Sequence, residues 1–193
     1  MKIKTVFFAL ITALSVALFT GQANAATLIP TAGKTEVQLS NELVGALVFA
    51  GVQPGAVGPG TLSKKGLATF PITTGAVEGL KGEVDHSGGL SLSAGGTRVV
   101  LSSFIIDALS AQPVLTGLVI ANGSIFGRAP LFNVDTSGLQ VVTKGKKVTL
   151  SNVKLTLSQT AADALNQLFG VSAFTVNFPI GTATVKITNS KME

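Results

Sequence analysis

The chain has 193 residues, with 14 Lys and Arg against 9 Asp and Glu, 22 Gly, one His, and no Cys, Trp or Tyr. Without cysteine there is no disulfide framework, thiol nucleophile, zinc–thiolate site or iron–sulfur cluster, and a single His excludes a multi-histidine metal centre within one chain. Charged residues make up 12% and apolar residues 46%, a balance that excludes both compositional disorder and nucleic-acid binding by charge density.

Residues 1–25 read as a secretory signal peptide. Lys2 and Lys4 form the positive n-region, Val6 to Phe19 is apolar except for Thr12 and Ser15, and Ala23-Asn24-Ala25 supplies the small-x-small pattern, so cleavage is predicted after Ala25. The apolar run falls short of the roughly 20 residues that span a hydrocarbon core. What remains, residues 26–193, is one domain by length with a net charge of about +3. The predicted location is secreted or periplasmic, with no integral membrane segment after cleavage.

Glu36 to Leu39 reads as a strand. Asn41 to Ala50 follows as a short helix, with Leu43, Leu47 and Ala50 on one face, Ser40 as N-cap and Gly51 as the stop. Val52 to Gly60, with two Pro and three Gly, is expected to be an ordered loop. From Leu62 to Leu157 the pattern is strand and turn. Turns are expected at Ser87-Gly88-Gly89, Ala94-Gly95-Gly96, Asn122-Gly123, Ser137-Gly138 and Lys144-Gly145-Lys146. Asn122-Gly123 is the strongest of these, because a type I′ turn needs positive φ at both central residues. Its arms are Val114 to Ala121 and Ser124 to Ala129. Lys147 to Leu157 is a long alternating strand. A second helix covers Gln159 to Phe169, with Ala161, Leu165 and Leu168 on one face between Ser158 as N-cap and Gly170 as the stop.

The two helical segments point to an internal repeat. Leu39-Ser40, Ala46-Leu47 and Gly51-Val52 match Leu157-Ser158, Ala164-Leu165 and Gly170-Val171 with one inserted residue. Downstream, Gly66 to Thr73 matches Gly181 to Thr188 at five of eight positions. The unit is strand, short helix, loop, strand at each end of the domain. The predicted fold is therefore mainly β: a single antiparallel domain of β-sandwich type with two short packed helices, about 41–50 and 159–169.

Candidate chemistry is sparse. Asp85-His86-Ser87 spells a hydrolytic triad, but neighbouring strand residues point to opposite faces, whereas the base of a triad touches both partners. No Gly-x-Ser-x-Gly elbow presents a nucleophile. Glu83 and Asp85 share a strand face, yet no nearby oxygen ligands complete a calcium site. Gly88-Gly89 and Gly95-Gly96 lack the Lys and following helix of a phosphate loop, so they read as turns. Lys144, Lys146 and Lys147 read as a solvated hairpin turn around Gly145 rather than as a docking patch for an acidic polymer or membrane. His86 carries two readings: an axial or hydrogen-bonding partner to a ligand at a Gly-rich hairpin tip, or a turn residue whose imidazole is solvated or bonded to nearby backbone. No catalytic residue and no metal site are expected.

Gly79-Leu80-Lys81-Gly82-Glu83-Val84-Asp85-His86-Ser87-Gly88-Gly89-Leu90-Ser91-Leu92, followed by Val99 to Asp107 and the Gly117 to Gly127 hairpin, resembles the core of the HtaA-type domain. Lys154 to Phe169, a strand leading into an Ala-rich helix, is also similar, and the resemblance covers roughly Gly66 to Phe169. It implies a β-rich secreted bacterial domain that binds haem at the cell surface, its iron held by a Tyr. His86 matches that family's distal His, whereas no Tyr is present to match the iron ligand. The function expected is a non-enzymatic binding or surface/matrix protein, a component of the cell envelope or matrix without nucleic acid as partner. The alternative is a carrier of haem or another small hydrophobic ligand, with His86 as the cofactor-binding residue.

Overall fold

The computed structural model describes residues 27–189, so the predicted signal peptide and its cleavage point lie outside the described residues. In chain order the elements are β1 (Thr27–Leu28), β2 (Pro30–Leu39), α1 (Asn41–Phe49), β3 (Gln53–Val57), β4 (Thr61–Leu62), β5 (Leu67–Glu78), β6 (Lys81–His86) and β7 (Gly89–Ala94). Then follow β8 (Thr97–Asp107), β9 (Val114–Ala121), β10 (Ser124–Asp135), β11 (Gln140–Lys144), β12 (Lys147–Leu157), α2 (Gln159–Phe169) and β13 (Pro179–Asn189). Every pairing is antiparallel.

The sheet closes. Strands follow one another in the order β5, β2, β13, β12, β10, β9, β8, and β6 pairs with both β8 and β5 to complete a ring of eight. The expected sandwich is thus replaced by a barrel, because one short strand is paired on both edges. Eight strands enclose a space that side chains fill or that holds one small ligand.

Two forks shape this ring. β7 pairs β8 along Thr97 to Ser102 and β6 pairs it along Ile105 to Asp107, with a bulge between. Ser103 in that bulge has φ 51°. β6 and β7 therefore lie end to end on one neighbour, and Ser87-Gly88 is a corner rather than the tip of a hairpin. Gly88 has φ 80°, and a Cβ there would collide with the backbone of Gly60. The second fork is in β12. Its inward residues are Val148 and Leu150, then Val153, Leu155 and Leu157, so alternation changes phase at Asn152, which has φ 61°. β11 pairs β12 on one side of the fork and β10 on the other.

Val52 to Gly60 is more ordered than a loop. Gln53–Val57 forms an edge strand on β7, and an edge tolerates Pro54, which has no N–H to give. The hairpin turns at Asn122-Gly123, Gly95-Gly96 and Gly145 form as expected, each with positive φ.

Both helices start as predicted. The Ser40 hydroxyl accepts from the Leu43 N–H at 3.0 Å, and the Ser158 hydroxyl from the Ala161 N–H at 3.1 Å. Gly170 ends α2 in the left-handed conformation. The strand–helix–strand unit occurs twice, as β2–α1–β5 and β12–α2–β13, each pair antiparallel, with β2 and β13 adjacent. Val37 and Leu155 each stand three residues before the helix cap, and they face Ala68 and Gly181 respectively. The structural equivalence is therefore displaced by two residues from the sequence match of Gly66 with Gly181. An even offset preserves the alternation, so Ala68, Phe70 and Ile72 face inward, as do Ala183, Val185 and Ile187.

β2 and β12 both run antiparallel to β13, so α1 and α2 sit at the same end of the barrel. The main core gathers there, with Leu39, Leu47, Phe70, Phe104, Leu157 and Phe174 among its buried members. α1 contributes Leu47. α2 contributes Ala161 and Ala162, while Leu165 and Phe169 are half-buried beside them.

Candidate ligand site

The inward face of β6 is Gly82, Val84 and His86, set by strand alternation. This carries His86 into the barrel, with 4% of its surface exposed, so the residue is neither solvated nor at a hairpin tip, and of the expected environments only a bond to backbone is found. Nδ1 lies 3.3 Å from the Phe104 carbonyl oxygen and Nε2 lies 2.7 Å from Thr35 Oγ1. A carbonyl only accepts, so Nδ1 carries the proton and Nε2 accepts from the Thr35 hydroxyl. Burial disfavours the charged ring and pushes its pKa down to about 4, against smaller opposing effects of the Phe104 carbonyl and Asp85. The imidazole is neutral and fully engaged at neutral pH.

Thr35 and His86 sit in an otherwise apolar interior. A cavity of about 80 Å³ lies on the helix side, lined by His86, Val37, Phe70, Leu101, Phe104 and Leu157 among others. Another of about 90 Å³ lies towards the far end, against Val77, Val84, Val134, Val185 and Ile187. Thr35, Leu115 and Leu155 line both, so they form the layer that separates them.

A larger space lies at the mouth. Between α2 and the upper parts of β8, β9 and β10 lies a cleft of about 490 Å³, walled by Val119, Phe126, Ala129, Leu131, Ala164 and Leu168. Leu101, Phe132, Leu157 and Leu165 line both this cleft and the 80 Å³ cavity, so the two are separated only by apolar side chains. The polar side chains lining the cleft are Thr160 and Gln167, and no charged residue or His contributes to it. The volume falls in the ordinary range of small-molecule sites, and barrel mouths are a common place for them.

The other sequence candidates do not converge on this cleft. Asp85 faces away from the barrel interior while His86 faces into it, so the triad string is separated by the sheet itself. Glu83 and Asp85 share the outer face, and among the described residues no group of three or more His, Asp or Glu side chains is placed to hold a metal ion. Lys144, Lys146 and Lys147 are exposed around the β11–β12 turn. Thr35 was not singled out from sequence, and Ala161, Leu165 and Leu168 of the cleft were read only as a helix face. The signal available was the helical spacing of Ala161, Ala164, Leu165 and Leu168, which could equally describe core packing.

The fold of this chain, a closed antiparallel barrel with two short helices, is similar to that of solved HtaA-type domains. The crystal structure of the C-terminal domain of HtaA from Corynebacterium glutamicum matches with a TM-score of 0.64 at 14% identity, over 83% of this chain and 98% of that one. The haem-binding protein HtaB from the same organism matches at 0.59 and 12%, over 85% and 96%. The N-terminal domain of HtaA matches at 0.61 and 13%, over 84% and 99%. No family model matches the sequence, and no curated protein matches it significantly.

The donor set can be tested against a haem iron. The sequence has no Tyr or Cys, and its methionines, Met1 and Met192, lie outside the described residues. His86 does not line the cleft, and both of its ring nitrogens are bonded to the protein. The side chains of the mouth therefore do not fit an iron-ligated haem.

Proposed function

We propose that the protein is an exported, non-enzymatic binding protein of the cell envelope, which carries a small hydrophobic molecule in the mouth of its barrel. The observation that supports this reading is the 490 Å³ cleft under α2, whose lining is apolar apart from Thr160 and Gln167. Such a lining favours an uncharged ligand by burial and offers nothing that would compensate a desolvated charge. The signal-type N-terminus supports export, and no helix among the described residues is long and apolar enough to cross a membrane.

Carriage of haem is the second reading, supported by the structural likeness to HtaB, a haem-binding protein. On this reading His86 is the residue to examine, and it would have to give up Thr35 or Phe104 to reach an iron.

Titration with an uncharged environment-sensitive fluorophore and with hemin separates the two. Saturable fluorophore binding that Ala164→Trp abolishes, in a variant that still melts cooperatively, supports the apolar carrier. No saturable binding, or binding unchanged in Ala164→Trp, overturns it. A hemin-induced Soret shift that disappears in His86→Ala establishes the haem reading instead.

A further inference from the structure

We propose that the helix-capped end of the barrel docks on an anionic lipid surface, with α1 lying in the headgroup layer and Phe49 inserted. Past Glu42, α1 carries no charged residue: Leu43, Val44, Gly45, Ala46, Leu47, Val48 and Phe49 complete it. Leu43 and Leu47 pack into the core. The other face is apolar too, with Val48 76% and Phe49 89% exposed and Val44 beside them. A helix that is apolar all round belongs inside an apolar phase, and here only one side has one. The outer face lacks its second phase.

A second apolar prong stands at the same end. Residues 124–131 of β10 extend past the last β10–β12 pairing, Phe132 with Leu157, from which the chain runs directly into α2. The β9–β10 tip therefore projects beside the helices, and there Ile125 is 72% and Phe126 70% exposed. Phe126 also walls the mouth cleft, so the prong adjoins the opening through which a ligand would pass.

Basic side chains at this end of the barrel favour lipid phosphate. The groove on one side of α1, formed by Val44, Val48, Val52 and Leu62, carries Lys64 as its charged residue. The groove on the other side, formed by Gly51, Gln53 and the Gly95-Gly96 turn, carries Arg98. Lys65 is exposed next to Lys64. Among the described residues, the acids of the two helices are Glu42, at the opposite end of α1 from Phe49, and Asp163 on α2, which accepts from Gln159 at 2.8 Å. Apolar side chains protruding from a surface and flanked by Lys and Arg are the pattern of interfacial attachment to anionic bilayers.

This inference goes beyond carriage of a ligand and is separable from it. Protein lacking residues 1–25, which retains every strand of the barrel, is floated with vesicles of phosphatidylcholine alone or with phosphatidylglycerol added. Binding is expected on the anionic vesicles and weakened by salt. Phe49→Asp should reduce vesicle affinity about tenfold or more, the scale of losing one buried aromatic contact and adding a charge. Phe126→Asp should act in the same direction, and Lys64→Glu should weaken binding to anionic vesicles only. Melting temperatures of all three should stay near the parent value, because none of these side chains is buried. Absence of vesicle binding, or affinity unchanged in both Phe variants, overturns the proposal. So does a concentration-dependent dimer that Phe49→Asp dissolves, which would assign the face to a second copy. Fluorophore binding in the cleft of a parent protein that shows no vesicle binding would sink the docking alone. Its loss with vesicle binding intact would sink the carrier reading alone.

Discussion

Thr35 on β2 and His86 on β6 are 51 residues apart in sequence, and their side chains meet at 2.7 Å in the centre of the barrel. β5 lies between their strands in the ring. This bond spans the barrel wall from inside, at the layer that separates the two interior cavities.

The first consequence is a pH dependence of stability. His86 is neutral in the fold down to about 4, whereas the unfolded chain protonates it near 6.5. Above 6.5 the residue adds no pH dependence. As pH falls from 6.5 to 4 the unfolded state gains a proton that the folded state refuses, and stability falls by about 3 kcal/mol at most. Denaturant midpoints measured from pH 7 to 4 should show this slope, and His86→Gln should remove it. Glu36, held low by Lys186 and then Lys34, adds a loss of the same sign, but only below its ordinary value of 4.5. The region between 5 and 6.5 therefore belongs to His86.

Thr35→Val is close to the same shape and leaves Nε2 without its protein donor in an apolar interior. A loss of about 1–3 kcal/mol is expected, the cost of an unsatisfied buried acceptor. Chemical denaturation at pH 7.5, where the ring is neutral, measures it without interference from titration. A variant as stable as the parent would show that the hydrogen bond contributes nothing.

The helix faces predict a graded pair. Leu47 is buried against the core from α1, and Leu47→Asp places an unpaired charge there, with an expected loss of about 4 kcal/mol or more. Leu165 is half-buried and lines the open mouth, so Leu165→Asp should cost less because its carboxylate reaches water. Thermal melts should rank them in that order. Near-normal melting of both would contradict the packing of the helices.

Gly88 and Gly95 separate strain from collision. Both have positive φ, but a Cβ at Gly95 meets nothing while one at Gly88 meets the Gly60 backbone. Gly95→Ala is expected to cost about 1–2 kcal/mol from backbone conformation alone. Gly88→Ala should cost clearly more, because β3 and β7 must separate to admit the methyl group. Equal melting temperatures would place the Ser87-Gly88 corner wrongly.

Short-range features were readable from the residues that make them. Ser40 and Ser158 cap helices where a hydroxyl three residues before a free N–H predicts it, and Asn122-Gly123 turns where positive φ is needed twice. The strand–helix–strand unit and the likeness to the HtaA-type domain were legible for the same reason, since both are written in local patterns. His86 was misplaced because Gly88 and Gly89 resemble a hairpin tip, and two strands sharing one neighbour leave no local mark. Likewise, two residues of slippage between the halves of the repeat are invisible to a match that prizes identical letters.

Alternation, capping and turn chemistry act over a few residues, and they are enough to make this chain an antiparallel β protein with two short helices. Closure is a different matter. β6 must find β5 on one edge and β8 on the other, and nothing in Lys81 to His86 says that both edges will be used. That double pairing turns the sheet into a barrel, buries the single His instead of exposing it, and leaves an apolar mouth beneath α2. Strand edges carry no side-chain signature of their partners, so pairing between distant strands is settled by the total burial of the ring rather than by any segment alone.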